Sequence, residues 1–193
     1  KTPEAWVRFP PGAPFYKYGM KGKIALFLHQ PYCSVQSGNG IIQALSPDYS
    51  FKIFTRHELE ADFFNDVDII AFPGGLGDAD NFNFLTQEHQ SIIKQFVKRG
   101  GAYLGICMGA YWAGSEYFNL LDDVDAVQYI TRPGTDTKRP HPKNISITWQ
   151  DQPMNMFFYD GGVILDTDIH STYQVQARYK NGNPMALIQK NVG

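Results

Sequence analysis

Residues 102–114 read Ala-Tyr-Leu-Gly-Ile-Cys-Met-Gly-Ala-Tyr-Trp-Ala-Gly and put Cys107 at the centre of a Gly-x-Cys-x-Gly turn. A short apolar run of strand length precedes the turn, and small and aromatic residues at helical spacing follow it. That is the pattern of a strand-turn-helix elbow with a nucleophile at its tip. Gly105 and Gly109 let the strand and helix backbones approach while the thiol projects outward. The free N–H groups and positive dipole end where the helix begins favour a thiolate and can hold an oxyanion. The chemistry would be attack of sulfur on an acyl carbon. The competing reading is an inert thiol in a glycine-rich packing turn, since free cysteine also packs as a small apolar residue.

Such a nucleophile needs preorganised donors and a base. The natural donors are the backbone N–H groups of Gly74 or Gly75, in the turn Pro73-Gly74-Gly75-Leu76-Gly77, and of Met108, the residue after the cysteine. The histidines are His29, His57, His89, His141 and His170, and none has flanking residues that mark it as a base. His29 closes the first strand and so lies on the correct rim, His89 sits in the first turn of a helix facing solvent, and His141 and His170 fall in loops. Cys33 follows the first strand at the same rim, either as a redox partner of Cys107 or as a loop cysteine without a chemical role. Asp78 and Asp80 either contact a polar substrate or cap the next helix. No paired metal-ligand spacing is present, and nothing calls for a cofactor.

The elements that would position these groups alternate between strands and helices. Residues 23–29 (Lys-Ile-Ala-Leu-Phe-Leu-His) form a continuous apolar run, as in a strand covered on both faces. Ile41, Ile42 and Leu45 predict a short helix stopped by Pro47, and residues 50–54 a second strand. Residues 66–72 predict a third strand running into the glycine turn. Ile92, Ile93, Phe96 and Val97 predict a helix with Thr86 as its N-cap and Gly100 at its end. Strand-helix alternation predicts a doubly wound, mostly parallel sheet with its crevice at the carboxyl ends of the strands. Beyond Gly114 the texture changes. Residues 126–130, 145–149, 155–158, 163–165, 174–179 and 185–189 are short strand candidates, expected as antiparallel additions at one edge. Tyr159-Asp160-Gly161-Gly162 reads first as a hairpin turn and second as part of a site. Residues 1–22, with four prolines, three glycines and several aromatics, read as an irregular arm.

The 193 residues, 43% hydrophobic and 15% aromatic, suffice for a full core in one domain. A formal charge of −2 with no long basic run argues against a nucleic-acid surface. Two cysteines make no disulfide framework, and no segment is long and apolar enough to span a membrane. The sequence starts at Lys1 rather than methionine, which leaves cytoplasmic location and secretion after loss of a leader both open. Oligomeric state is not legible.

Taken in order, Phe72-Pro73-Gly74-Gly75, then residues 100–111, then Tyr159-Asp160-Gly161-Gly162 resemble the class I glutamine amidotransferase-like domain at the N-terminus of fungal-type biotin-protein ligases. The resemblance runs from about residue 23 to residue 193. It implies a flavodoxin-like α/β fold with helices on both faces of the sheet, Cys107 in the nucleophile position, and Gly74, Gly75 and Met108 around the oxyanion site. It also implies a small-molecule amide or acyl substrate. Glutamine-hydrolysing amidotransferases carry Gln where this chain has Tyr111, which makes Tyr111 a substrate-contact position. Their His-Pro-Glu-like segment follows a last strand, whereas this sequence stops at Asn191-Val192-Gly193, so the expectation is that the base and its acid lie beyond residue 193. The alternative from another class is a binding or regulatory domain that keeps the pocket and has no complete triad.

Overall fold

The structure, a computed structural model, describes residues 22–75, 77, 83–121, 124–165 and 173–189. The arm at residues 1–21, Asp78, Asp80 and His170 lie outside the described residues. The chain divides into two compact units, Lys1–Gly109 and Ala110–Gly193.

In the first unit β1 (Gly22–Phe27), β2 (Tyr49–Phe54), β3 (Ile69–Phe72) and β4 (Ala102–Gly105) form a four-stranded parallel sheet in the order β2-β1-β3-β4. The third strand thus lies between the first and fourth. Residues Ile24 to Phe27 and Ile70 to Phe72 are at most 1% exposed, because both faces of the sheet are covered. Ile24, Leu26, Ile69 and Ala71 point to one face and pack with Ile41, Ile42 and Leu45 of α1 (Val35–Leu45). Their alternate neighbours point the other way. There Phe27 meets Phe54 and Phe72 at ring distances of 5.2 and 5.1 Å, and Phe64 links Phe54 to Phe96 of α2 (Asn83–Lys98). Two helices on opposite faces of a parallel sheet make the unit doubly wound.

The helix ends follow local chemistry. Ser34 caps α1 by accepting from the Ser37 N–H, and Ser46 closes it before Pro47 by donating to the Ile42 carbonyl. Gly100, at φ 97°, ends α2, with its N–H on the Val97 carbonyl and that of Gly101 on the Phe96 carbonyl. Thr86 is not the N-cap, however. The helix begins at Asn83, because residues 83–85 continue the helical backbone and threonine is tolerated inside a helix.

In the second unit all six strand candidates are strands. They are β5 (Asp125–Gln128), β6 (Lys143–Trp149), β7 (Gln152–Phe158), β8 (Gly162–Leu165), β9 (Tyr173–Tyr179) and β10 (Pro184–Gln189). They do not extend an edge of the parallel sheet. They form their own antiparallel sheets, one ordered β10-β9-β6-β7 and one pairing β5 with β8. The turn at 159–162 is consequently no hairpin, since β7 pairs with β6 and β8 with β5, and it carries the chain from one sheet to the other. Its glycine answers to packing: a Cβ on Gly161 would lie 2.6 Å from the Tyr179 hydroxyl, which donates to the Gly162 carbonyl at 2.8 Å. Tyr129 and Tyr179 stack at 3.8 Å at the centre of this unit's core.

Candidate functional site

The order β2-β1-β3-β4 reverses direction between β1 and β3, so the loops leaving these two strands flank the topological switch point where such sheets bind ligands. Here the two loops are joined. Cys33 and Gly75 form an isolated antiparallel bridge, and the Ser34 N–H donates to the Gly74 carbonyl at 2.8 Å. The Gly74 N–H in turn donates to Ser37 Oγ at 2.9 Å.

The elbow follows β4. The Ile106 N–H donates to the Phe72 carbonyl at 3.0 Å, and the Gly109 N–H to those of Ile106 (3.0 Å) and Pro73 (3.3 Å). Between them Cys107 takes φ 53°, in the left-handed region that side-chain-bearing residues rarely adopt. Gly109 has no alternative residue: a Cβ there would sit 2.1 Å from the Phe72 carbonyl oxygen. Tyr103 of β4 fastens the far side of the turn by donating its hydroxyl to the Gly109 carbonyl at 2.6 Å. Burial pushes that phenol well above its ordinary pKa, which keeps it protonated as a donor. The helix after the elbow, α3 (Met108–Trp112), is only five residues long. Its dipole is correspondingly small, so local N–H groups, more than a macrodipole, set the field at Cys107.

The structure brings several of the sequence-predicted residues together. A Cβ built on Gly74 would lie 3.6 Å from the Cys107 Cβ, and one on Gly75 would lie 3.0 Å from the Met108 Cγ. Cys107, Gly74, Gly75 and Met108 therefore line one spot. The Gly74 N–H is already taken up by Ser37, so it is not a spare donor. Tyr111 belongs to the second unit, where a Cβ on Gly162 would lie 3.6 Å from its Cζ. Cys33 is 2% exposed, and burial raises its thiol pKa, outweighing the opposing hydrogen bond to His29. Neither cysteine forms a disulfide.

The histidine side chains have contacts of their own. His29 stacks on Phe27 and Tyr32 and meets the His57 ring edge-on at 5.7 Å. Burial, then the charges of Arg56 and His57, lower its pKa, with Glu58 acting the other way. His89 approaches Glu88 at 3.9 Å, and the His141 Nδ1 lies 2.9 Å from the Arg139 carbonyl. Among the described residues no three His, Cys, Asp or Glu side chains gather as a metal site would require. No described helix is long and apolar enough to cross a membrane. Ser37 and Tyr103 are the site residues that sequence reasoning missed. The pair Ser34-x-x-Ser37 at the start of a helix beside the switch point was the available signal for the first, and nothing local marked the second.

Over 189 residues the chain is 27% identical to a biotin-protein ligase of Schizosaccharomyces pombe, covering 83% of this chain and 29% of that protein. It is 27% identical over 144 residues to an uncharacterised protein of Chlamydia muridarum, covering 64% and 55%. The chain thus spans only part of the length of either relative. Among solved structures a glutamine amidotransferase superposes with a TM-score of 0.59 at 13% identity, covering 86% of this chain and 84% of that one, a likeness of fold alone. The family model described as the N-terminal part of biotin-protein ligase matches residues 32–130, about half of the chain and including the switch-point loops and the elbow. The chain belongs to the biotin-protein ligase N-terminal domain family, with a glutamine amidotransferase-like, flavodoxin-like α/β fold.

Proposed function

We propose that Cys107 is the nucleophile of a domain that hydrolyses or transfers the acyl group of a small amide or related acyl substrate. The observation that carries this reading is the φ of 53° at Cys107, held between the Phe72-Pro73 carbonyls and Gly109. A strained, non-glycine tip persists only where the surrounding structure over-determines it, and such strain clusters at active sites.

In the proposed reaction the thiolate sulfur bonds to the acyl carbon, and the carbonyl π-pair moves onto oxygen. The Gly75 and Met108 N–H groups donate to that oxyanion. Gly74 serves by bearing no side chain between Ser37 and Cys107. Collapse expels the amine, which takes up the proton lost by the thiol, and leaves a thioester on Cys107. Water then cleaves the thioester to the acid and restores the thiol. Tyr111 is proposed as a substrate contact on the strength of its position in the motif.

A second reading, a binding domain that keeps the elbow without turnover, is favoured by the histidine contacts, since the His29 ring stacks within an aromatic group with Phe27, Tyr32 and His57. Ammonia release from glutamine and simple amides, with mass spectrometry of the protein during reaction, separates the two. An acyl adduct on Cys107 with turnover abolished by Cys107→Ala supports catalysis. Turnover that is unchanged in Cys107→Ala refutes the nucleophile assignment.

A further inference from the structure

Two consecutive peptide planes meet at Gly74, and both are held from the first turn of α1. The plane between Pro73 and Gly74 carries the Gly74 N–H, which Ser37 Oγ accepts at 2.9 Å. The plane between Gly74 and Gly75 carries the Gly74 carbonyl, which accepts from the Ser34 N–H at 2.8 Å. In a planar trans peptide the C=O and N–H point in opposite directions. Fixing the Gly74 carbonyl on Ser34 therefore aims the Gly75 N–H away from α1. Fixing the Gly74 N–H on Ser37 sets the φ about which that second plane turns. A Gly-Gly pair without these two anchors would sample a wide range of φ and ψ.

Ser37 is itself well placed and well held. It is half-buried, its own N–H donates to the capping Ser34 Oγ at 3.2 Å, and its Oγ lies 3.3 Å from where a Gly74 Cβ would be, a position 3.6 Å from the Cys107 Cβ. The sequence offers the N–H of either Gly74 or Gly75 for the oxyanion. The structure commits the Gly74 N–H to Ser37, which leaves the Gly75 N–H for that role.

Building on the nucleophile reading above, we infer that Ser37 is a positioning residue: its hydroxyl fixes Gly74 so that the Gly75 N–H stays preorganised for the oxyanion formed by attack of Cys107. Ser37 acts through the loop and not on the substrate. Its removal should therefore slow reactions of Cys107 that pass through an oxyanion and spare those that do not.

Two probes make that distinction on the folded protein. With p-nitrophenyl acetate the sulfur bonds to the acyl carbon, an oxyanion forms, and p-nitrophenolate leaves. With iodoacetamide the sulfur displaces iodide from a tetrahedral carbon, and no oxyanion forms. Rates of Cys107 modification are followed by mass spectrometry, with Cys107→Ala as the blank and thermal unfolding as the check on folding. Deleting an oxyanion donor costs about a hundredfold or more, and loosening one should cost less. Ser37→Ala is expected to slow acylation about tenfold, with alkylation unchanged. Ser37→Thr, which keeps the hydroxyl, is expected to restore most of the acylation rate.

If wild-type Cys107 shows no acylation above the blank, the nucleophile reading fails and this inference falls with it. If wild type acylates and Ser37→Ala acylates equally fast, the nucleophile reading stands and the role of Ser37 is refuted. Equal slowing of both reactions would trace the effect to the thiol itself, and a threonine variant as slow as the alanine one would trace it to packing. Either result overturns the inference.

Discussion

The two units bury their strands in different ways, and their glycines do different work. In the parallel unit β3 is buried at all four positions and β1 from Ile24 onward, with helices against both faces. In the antiparallel unit β6 alternates, with Ile145 and Ile147 inside and Asn144, Ser146 and Thr148 outside. A strand covered on both faces leaves its neighbours no slack, so backbone must meet backbone. Gly109 is such a place, because a Cβ would meet the Phe72 carbonyl at 2.1 Å. Gly182 of the antiparallel unit has φ 86° and nothing within 4 Å of its missing Cβ. One glycine is required by sterics and the other by conformation.

The largest expected effect follows from that contrast. Gly109→Ala puts a methyl into a backbone oxygen that cannot rotate away, at a cost of about 3 kcal/mol or more. Gly182→Ala meets only the left-handed penalty, about 1 kcal/mol. Urea denaturation of the two variants beside wild type measures both. Equal losses would show that the elbow is no tighter than an ordinary turn.

Legibility in the sequence follows the same division. Continuous apolar runs announced β1 and β3, because strands covered on both faces are apolar throughout, and a short apolar run before the elbow announced β4, which lies at the edge and is only partly buried. Alternation and turn residues announced the six described strands of the other unit. Pairing was not legible there. The β6–β7 hairpin turns at Gln150 and Asp151, with φ of 46° and 63°, a turn that Asn-Gly or Asp-Gly would have signalled. Tertiary contacts hold it instead: the Gln150 N–H donates to the Gln176 carbonyl at 2.8 Å and its side-chain amide to Gln176 Oε1 at 2.9 Å. Conversely Asp160-Gly161-Gly162 looked like a hairpin and is a crossing between sheets, because its glycine answers to Tyr179 rather than to turn geometry. At the site the Gly-x-Cys-x-Gly spacing located the elbow, since local sterics demand those glycines. Ser37 stayed hidden because its partner, Gly74, is 37 residues away.

Positive φ at non-glycine residues occurs in both units, and it sharpens the comparison. At Asp151 the left-handed backbone belongs to an exposed turn, and Asp151→Gly should stabilise the protein by about 0.5–1 kcal/mol without touching the chemistry. At Cys107 the same relief is expected from Cys107→Gly, about 1 kcal/mol in thermal or urea unfolding, and with it complete loss of thiol-dependent reactivity. A destabilised Cys107→Gly would mean that the thiol is retained for its packing, and that the strain serves no chemistry.

The smallest expected effect is a dependence on pH confined to the rim of the parallel unit. His29 has its pKa lowered below 6.5, first by burial, then by the charges of Arg56 and His57, against the opposing charge of Glu58. The unfolded chain titrates this imidazole near its ordinary value of about 6.5. Between the folded and unfolded pKa values the unfolded chain therefore holds more protons. Stability from the neutral ring is complete above about pH 6.5 and is lost as pH falls through the folded pKa. His29→Gln removes that linkage while keeping a planar polar side chain. Urea midpoints at about pH 7.5, 6.5 and 5.5 should fall more steeply for wild type than for His29→Gln. Identical slopes would show that the ring takes up its proton as readily in the folded protein as in the unfolded chain, and that the switch-point rim is as open to water at His29 as the exposed turns of the antiparallel unit.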